Sequence, residues 1–495
     1  MSNATALSVK DPYLDNQPKG NWINGRYVAA ISGETFESVN PATGLPIATL
    51  ARSGAEDVDS AVRAARAAFR GSWSRWTPAE RQRLLERIRE VLGENFQELA
   101  RLDTLEMGAP LSRTMGMKAS AQATISYYAS QVYAGTGQTV PNSLPGSVMT
   151  MIVKAPVGVI GGIIPWNGPL SSVWWIIGPA IATGCTLVLK PAEDASLSLL
   201  RIGELLQQAG VPDGVVNVVT GYGSEAGSAL SSHPDVDRIA FTGSTETGRN
   251  IIRASAVNIK RLQLELGGKS PDIVFADADL DAAVPGAAMA VYRNSGQVCY
   301  AGTRLFVERK VYSEFVERLK VFTETLKVGN GLDPDVQLGP LVSRKQLDRV
   351  LSYIDIGGQE GAILAAGGCR IGGELANGYF IEPTVFSNVT NDMRIAREEI
   401  FGPVISVIPF ETPEEALALA NDTEYGLGGA VWTRDVAKAL RMVNGIQAGT
   451  IWVNGYGQVD AAIGFGGIKM SGYGTKGGPA HVDSYLYHKS VYING

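Results

Sequence analysis

Cysteine and histidine are scarce in this chain. Cys185, Cys299 and Cys369 are the only cysteines among 495 residues, an odd and widely spaced set. It offers no disulfide framework and points to a reducing, cytoplasmic compartment. His233, His481 and His488 are the only histidines, and none stands in a Cys/His cluster with zinc-ligand spacing, so no metal centre is expected. Basic residues are not in excess: 43 Lys and Arg face 49 Asp and Glu, and the net charge of −6 lacks the footprint of a nucleic-acid binder. Internal repeats and low-complexity tracts are absent, and the polar stretch Met1 to Gly20 lacks the apolar core of a secretory signal. The one long apolar run, Leu170 to Leu189, has the length of a bilayer span, yet Gly178, Pro179 and Gly184 interrupt it. Its tail, Thr186-Leu187-Val188-Leu189, ends in Lys190-Pro191 like a buried strand. A core helix followed by a parallel strand is therefore expected, and no membrane segment.

What the chain does have is glycine, 58 residues of it, in an otherwise ordinary globular composition of 45% hydrophobic and 19% charged residues. Its length exceeds one hydrophobic core, so at least two domains are expected. Short alternating runs with turn residues at Asn24-Gly25 and Asn40-Pro41 predict hairpin-like strands over Trp22 to Thr49. Ala55 to Phe69 places Val58, Ala61, Val62, Ala65, Ala68 and Phe69 on one helical stripe, and Thr77-Pro78-Ala79-Glu80 is a capping box opening the next helix. From Val157 the pattern becomes strand, loop and helix in repetition. Strand-like runs at Val157–Ile164, Thr186–Leu189, Val215–Val219, Arg238–Phe241 and Arg261–Leu266 predict a doubly wound parallel sheet, whose ligands bind at the carboxyl ends of the strands. A second α/β unit runs from Pro271 to about Gly474, with strands expected at Arg304–Val307, Val404–Ile408 and Thr450–Val453. Asp483 to Ile493 alternates apolar and polar residues, the pattern of a strand that needs a partner.

Two glycine-rich segments carry the chemistry. Glu265-Leu266-Gly267-Gly268-Lys269-Ser270-Pro271 sets a carboxylate, and Gly296-Gln297-Val298-Cys299-Tyr300-Ala301-Gly302-Thr303-Arg304 a thiol, in backbone free to approach a ligand closely. A base and a nucleophile are what covalent catalysis needs. A phosphate-binding P-loop around Gly268-Lys269-Ser270 fails, because Gln263 stands where its first glycine belongs. Gly221-Tyr222-Gly223-Ser224-Glu225-Ala226 fits the loose dinucleotide pattern, which is weak alone in so glycine-rich a chain. Lys190-Pro191-Ala192-Glu193 ends one strand, and Thr242-Gly243-Ser244-Thr245-Glu246-Thr247-Gly248 turns from the next into a helix, where Ser244 reads equally as an ordinary N-cap. Asn167 after Pro165-Trp166 is a turn residue or an oxyanion donor. Cys185, inside an apolar run, reads as a small buried hydrophobe.

The Glu265 and Cys299 segments, with Pro165-Trp166-Asn167 and Glu398-Glu399-Ile400-Phe401-Gly402-Pro403, closely resemble the signatures of the aldehyde dehydrogenase superfamily, and the resemblance spans nearly the whole chain. It implies two doubly wound α/β domains, a Rossmann-like NAD-binding domain (1–134 and 155–270) and a catalytic cysteine domain (271–474), plus a small β oligomerisation element (135–154 and 475–495) that makes a homodimer or homotetramer. It implies Cys299 as nucleophile, Glu265 as base and Asn167 as oxyanion donor. NAD would lie against Ile164, Pro165, Trp166, Lys190, Glu193, Gly223, Gly243, Ser244, Gly248, Leu266, Glu399 and Phe401. Glu193 would repel a 2′-phosphate and so favour NAD over NADP. Glu265 implies a hydrolytic enzyme releasing a carboxylic acid, not an acyl-CoA. Substrate would meet Gly168, Trp175, Val298, Tyr300 and Phe465, and Trp174, Tyr292, Tyr456, Val459 and Ile463 lie in segments bordering the same tunnel in relatives. Gly168 replaces a frequent phenylalanine, which leaves room for bulky aromatic or terpenoid aldehydes. The alternative is a non-catalytic relative kept as a structural or cofactor-binding protein.

Overall fold

The computed structural model describes residues 12–15 and 17–495; most of the stretch read above as lacking a signal therefore lies outside the described residues. Five parallel strands form the first sheet: β1 (Val159–Ile164), β2 (Thr186–Pro191), β3 (Val216–Val218), β4 (Arg238–Thr242) and β5 (Arg261–Glu265). Their order is β5-β4-β1-β2-β3, so the winding reverses between β1 and β4. Such a reversal opens a crevice at the strand ends, the topological switch point where doubly wound sheets bind ligands. The central strand β1 is buried almost throughout and carries Gly161 and Gly162. A Cβ at Gly161 would lie 2.5 Å from the Ile239 side chain and one at Gly162 2.8 Å from Leu189, so only glycine admits neighbours this large on both faces.

The sheet is wider than the sequence pattern indicated. The hairpin Asn21–Ile23/Arg26–Val28, turning on Asn24-Gly25 with positive φ at both residues, adds two antiparallel strands beyond β3, and Gly472–Tyr473 adds a third beside β5. These additions depend on contacts remote in sequence, which local periodicity does not encode. The capping box appears as read: Thr77 accepts from the Glu80 amide at 3.3 Å, the Glu80 carboxylate accepts from Thr77 N–H at 2.7 Å, and the helix Pro78–Met107 follows, ending at left-handed Gly108. Leu170 to Leu189 is a short turn of helix, the buried helix Trp174–Thr183 and strand β2. Among the described residues no helix is long and apolar enough to cross a membrane.

The second sheet contains β6 (Pro271–Val274), β7 (Arg304–Glu308), β8 (Ile363–Ala366), β9 (Thr384–Ser387), β10 (Val404–Phe410), β11 (Gly428–Trp432) and β12 (Thr450–Val453), in the order β8-β9-β10-β7-β6-β11-β12. All pairings are parallel except β8 with β9. The C-terminal strand Leu486–Asn494 pairs antiparallel with Val148–Pro156, from Leu486 opposite Pro156 to Asn494 opposite Val148. With Gln138–Thr139 they form a separate small sheet whose outer edge at Leu486–Asn494 is unpaired among the described residues.

One buried cation fastens the loop between the two sheets. Arg304, at the start of β7, donates to the carbonyls of Lys269 (2.9 Å), Leu419 (2.9 Å) and Ala420 (2.7 Å). It thereby ties the segment after β5 to the last turn of the helix Pro413–Asn421. Replacing Arg304 by Met would strand three carbonyls in the interior, at a cost of about 1–3 kcal/mol for each group left without water. We expect Arg304→Met to lower the thermal unfolding midpoint by roughly 5 °C or more; a midpoint within about 1 °C of wild type in differential scanning fluorimetry would show that the fastening is redundant.

Candidate active site

The residues expected to bind a dinucleotide gather at the carboxyl ends of β1 to β5. Pro165, Trp166 and Asn167 follow β1 at one lip of the switch-point crevice, and Gly243 and Ser244 follow β4 at the other. Ser244 caps the helix Thr245–Ser255, accepting from Thr247 N–H at 3.2 Å, so the turn ends in outward-pointing amides. Lys190 is buried at the end of β2 and donates to the half-exposed Glu193 carboxylate at 3.1 Å. A Cβ on Gly223 would meet nothing within 4 Å, so the backbone after β3 is open to a ligand. Ile164, Gly248 and Leu266 are packing residues by their side chains: Ile164 and Leu266 are buried, and a Cβ on Gly248 would lie 2.7 Å from Leu266. From the second unit, Phe401 sets its ring edge-on to Trp166 at 5.3 Å, and Glu399 accepts from Gly268 N–H at 3.0 Å. Lys269 is buried, which agrees with the rejection of a phosphate loop there.

Glu265, Cys299 and Asn167 meet where the sheets face one another. A Cβ on Gly268 would overlap the carbonyl oxygen of Cys299, and one on Gly267 would overlap the Glu399 carboxylate. Glycine at Gly268 is what lets the Glu265 loop and the Cys299 loop touch, while Gly267 admits the Glu399 carboxylate. Ahead of the thiol, Asn294, Ser295 and Gly296 are consecutively left-handed, at φ of 55°, 55° and 76°. The cost to the two non-glycine residues, roughly 1–2 kcal/mol each, is offset by a buried network. Asn294 Nδ2 donates to Asn167 O (2.9 Å), Ser295 Oγ to Gly339 O (2.7 Å) and Gln297 Nε2 to Asn294 O (3.0 Å), while Gln297 Oε1 accepts from Val342 N–H (2.9 Å). Asn167 Nδ2 donates one hydrogen to Gln297 O at 2.9 Å. Its second amide hydrogen and the Cys299 N–H, which has no protein partner among the described residues, remain to serve an oxyanion.

Burial dominates the electrostatics. It pushes the Glu265 carboxyl up to about 7, opposed by Lys476, whose Nζ lies 3.9 Å from Glu265 Oε2. Glu265 Oε1 has no hydrogen-bond partner in the protein, an acceptor left for water or for the thiol proton. Burial, with Glu265 and Glu399 nearby, pushes the Cys299 thiol up to about 12, again opposed by Lys476. Cys299 is therefore a thiol at neutral pH until a base takes its proton. Cys185 is fully buried and its thiol is held up by that burial, whereas Cys369 is exposed, so alkylation alone does not single out Cys299.

On the substrate side, Cys299 and Tyr300 pack against a cluster that includes Trp452, Tyr456 and Phe465. The Tyr300 ring lies 5.6 Å from Phe465 and 5.7 Å from Trp452. Val298 is partly exposed beside the thiol, and Trp175 is half-buried against the Gly477 backbone. Tyr292 and Trp174 do not border this space: Tyr292 is locked in the core behind the second sheet with its hydroxyl 3.1 Å from that of Thr323, and Trp174 belongs to the core of the first. Adjacent residues on a helix point apart, so neighbourhood in sequence to Trp175 did not turn Trp174 to the same side. Sequence reasoning missed Lys476 and Ser471. Lys476 exchanges both backbone hydrogen bonds with Phe465 at 2.7 Å and donates to Thr242 Oγ1 at 2.7 Å; Ser471 Oγ donates to Gly267 O at 2.7 Å. Their only local signal was the density of glycine from Gly464 to Gly478.

A doubly wound sheet, joined to a second α/β sheet across a thiol, a buried carboxylate and two free amide donors, brings together groups of the kind that thiol-based enzymes use. The match of the aldehyde dehydrogenase family model over residues 27–491 shows that the chain belongs to that family. It is 48% identical over 475 residues to DhaS of Bacillus subtilis, covering 96% of this chain and 95% of that one. Among solved structures, a Bacillus cereus aldehyde dehydrogenase in complex with NAD+ superposes with a TM-score of 0.95 at 45% identity, covering 98% of both chains. A Staphylococcus aureus betaine aldehyde dehydrogenase in complex with NAD+ does so with a TM-score of 0.95 at 38% identity, covering 98% of this chain and 96% of that one.

The two adjacent glycines make a paired test. Gly268→Ala must displace the Cys299 carbonyl and with it the thiol, and we expect turnover of aldehyde to fall by roughly 100-fold. Gly267→Ala meets the far end of the Glu399 side chain, which can swing aside, and is expected to cost less than about 10-fold. Equal losses in steady-state rate would show that the loop contact at Gly268 does not set the thiol position.

Proposed function

We propose that this protein oxidises an aldehyde to its carboxylic acid with NAD, through a covalent intermediate on Cys299. The observation that carries the reading is the convergence of Cys299, unpartnered Glu265 Oε1 and the free donors of Asn167 and Cys299 at the meeting of the two sheets. The strand ends of β1, β2 and β4 would hold NAD, with Lys190 and Glu193 placed to take its ribose diol, and NAD would supply the hydride acceptor. Glu193 would oppose a 2′-phosphate there, which favours NAD over NADP.

Glu265 accepts the thiol proton, and the sulfur adds to the aldehyde carbonyl to give a thiohemiacetal. Asn167 Nδ2 and the Cys299 amide stabilise its oxyanion. Loss of hydride with its electron pair turns this adduct into a thioester. Glu265 releases the thiol proton to solvent, and as a carboxylate removes a proton from water as the water attacks; the carboxylic acid leaves as the thioester C–S bond breaks, and that proton returns to the Cys299 sulfur. Lys476 favours the carboxylate form of Glu265 and the thiolate form of Cys299. We assign the first sheet with 1–134 and 155–270 to the cofactor, 271–474 to catalysis, and 135–154 with 475–495 to assembly. The unpaired edge of Leu486–Asn494 supports a homodimer or homotetramer, since an exposed edge strand invites pairing. The cysteine usage supports a cytoplasmic location. Gly168 and the aromatic walls at Tyr300 and Phe465 support a bulky apolar or aromatic substrate body; similar kcat/KM on acetaldehyde and benzaldehyde would refute that preference. The opposing reading, a non-catalytic relative, has no observation in its favour, whereas the gathering of the Cys299 thiol, the Glu265 carboxylate and the free amide donors of Asn167 and Cys299 supports catalysis.

Cys299→Ala should abolish NADH formation while NAD binding by calorimetry persists; turnover surviving in this variant would sink the assignment. Glu265→Gln, in single-turnover experiments, should stop after or before the first NADH per site and lack steady-state release of acid. The pH dependence tests Lys476. Glu265 must be ionised to act as base, so hydrolysis should fall as pH drops through about 7. Lys476→Met removes the charge favouring the carboxylate, raises the Glu265 pKa further, and should move this limb to higher pH. An unmoved limb would mean that Lys476 is screened from Glu265.

A further inference from the structure

Of the three histidines only His481 is fully buried, and the mechanism above does not use it. It stands on the helix Gly478–Asp483, just after the loop that carries Lys476. Its Nδ1 accepts from the Gly477 N–H at 3.0 Å, and the Tyr128 hydroxyl lies 2.7 Å from the same nitrogen. A backbone amide can only donate, so Nδ1 carries no hydrogen, the Tyr128 hydroxyl also donates to it, and Nε2 is the protonated nitrogen. Nε2 then donates to Gln263 Oε1 at 3.2 Å, an oxygen that also accepts from Arg238 Nη2 at 2.8 Å. The imidazole is thus neutral and held in a single tautomer. The charged and titratable groups that face it are Tyr128 from the helix Lys118–Ser130, Arg238 from β4, which lies over the Tyr485 ring at 3.9 Å, Tyr485 itself and Lys476. Burial, with Arg238 and Lys476 nearby, opposes a second proton on the ring.

Both ends of this imidazole lead to the base. Gln263 lies two residues before Glu265 on β5, so their side chains share one face of the sheet. Gly477 follows Lys476 directly, and its N–H has no backbone carbonyl partner among the described residues. A Cβ on Gly477 would lie 2.9 Å from Ala461 O and from the Trp175 ring, so the turn is already packed on that side. The Gln263–His481 pair therefore runs beside the Glu265–Lys476 pair. One side chain spans the strand that holds the base and the loop that holds its cation. We propose that His481 is a positioning residue: by bonding Gln263 and Gly477 together it fixes the Lys476 ammonium at 3.9 Å from the Glu265 carboxylate. This role rests on Lys476 biasing Glu265, as proposed above. An ammonium close to a buried carboxylate loses influence quickly as it retreats, so a small slackening of the turn is enough to change the base.

The pH dependence of steady-state acid release from benzaldehyde, read at its acid limb, tests this role. His481→Gln removes the acceptor from Gly477 but keeps an amide near Gln263, and should move the limb to higher pH by about half a pH unit or more, the direction expected of Lys476→Met. Added to Lys476→Met it should move the limb no further, because both act through one ammonium. His481→Asn sets an amide oxygen where Nδ1 stood and should bring the limb back towards wild type. Tyr128→Phe removes the other bond to Nδ1 and leaves the Gly477 contact; it should lower the thermal unfolding midpoint without moving the limb, which separates positioning from general loosening. Where His481→Gln does not fold, Gln263→Met cuts the other end of the bridge and should give the same shift and the same lack of additivity. A limb that stays at the wild-type pH in these variants while Lys476→Met moves it, or shifts that add in the double variant, would overturn the role of His481 and leave that of Lys476 standing. A limb unmoved by Lys476→Met itself would overturn both.

Discussion

The structure depends on one close approach, that of the Gly268 backbone to the carbonyl of Cys299. It joins the last strand of the first sheet to the loop before β7 of the second, and it exists only because Gly268 carries no Cβ. The positions of the Glu265 carboxylate and the Cys299 thiol relative to one another are referenced to that contact. Arg304 holds the same segment by Lys269 O, and Ser471 holds it by Gly267 O, so the base-bearing loop is pinned from both units and from the C-terminal loop. The signature residues around Glu265 and Cys299 thus divide into a few that face chemistry and several that bring two backbones together.

The same enclosure sets the electrostatic problem of the site. Removing water raises both the carboxyl of Glu265 and the thiol of Cys299, and the nearby Glu265 raises the thiol further. The two groups cannot both be anionic at low cost, so transfer of one proton between them changes the charge of the site less than loss of that proton to solvent. Lys476 is the cation that both groups feel, and its own ammonium is shared with Thr242 Oγ1 at the end of β4. The proton balance of the thiol is thereby linked to the strand end on which a cofactor would sit.

Much of this was legible in the sequence because it is local. The five strands of the first sheet, the capping box at Thr77 and the burial of Cys185 follow from period, turn chemistry and apolar runs, and they fall where the pattern put them. The meeting of Glu265 with Cys299 was legible only through motif resemblance, since 33 intervening residues carry no distance information. The docking of antiparallel strands onto both edges of the first sheet, the side to which Tyr292 turns and the arrival of Lys476 were not legible, although the hairpin at Asn24-Gly25 itself was. Each is decided by partners hundreds of residues away or by which side of a helix faces a particular neighbour. A lysine in a glycine-rich loop has no periodicity to reveal its direction.

Lys476 also joins the aromatic cluster beside Cys299 to the buried carboxylate. It exchanges both backbone hydrogen bonds with Phe465, so a member of that cluster and the cation nearest Glu265 form one isolated bridge. Phe465 in turn packs edge-on against Tyr300, the neighbour of the nucleophile. An ammonium 3.9 Å from a buried carboxylate is sensitive to small displacements because little water screens it. A displacement of Phe465 would therefore be felt at Glu265 electrostatically, through the backbone bridge and without direct contact between the two side chains.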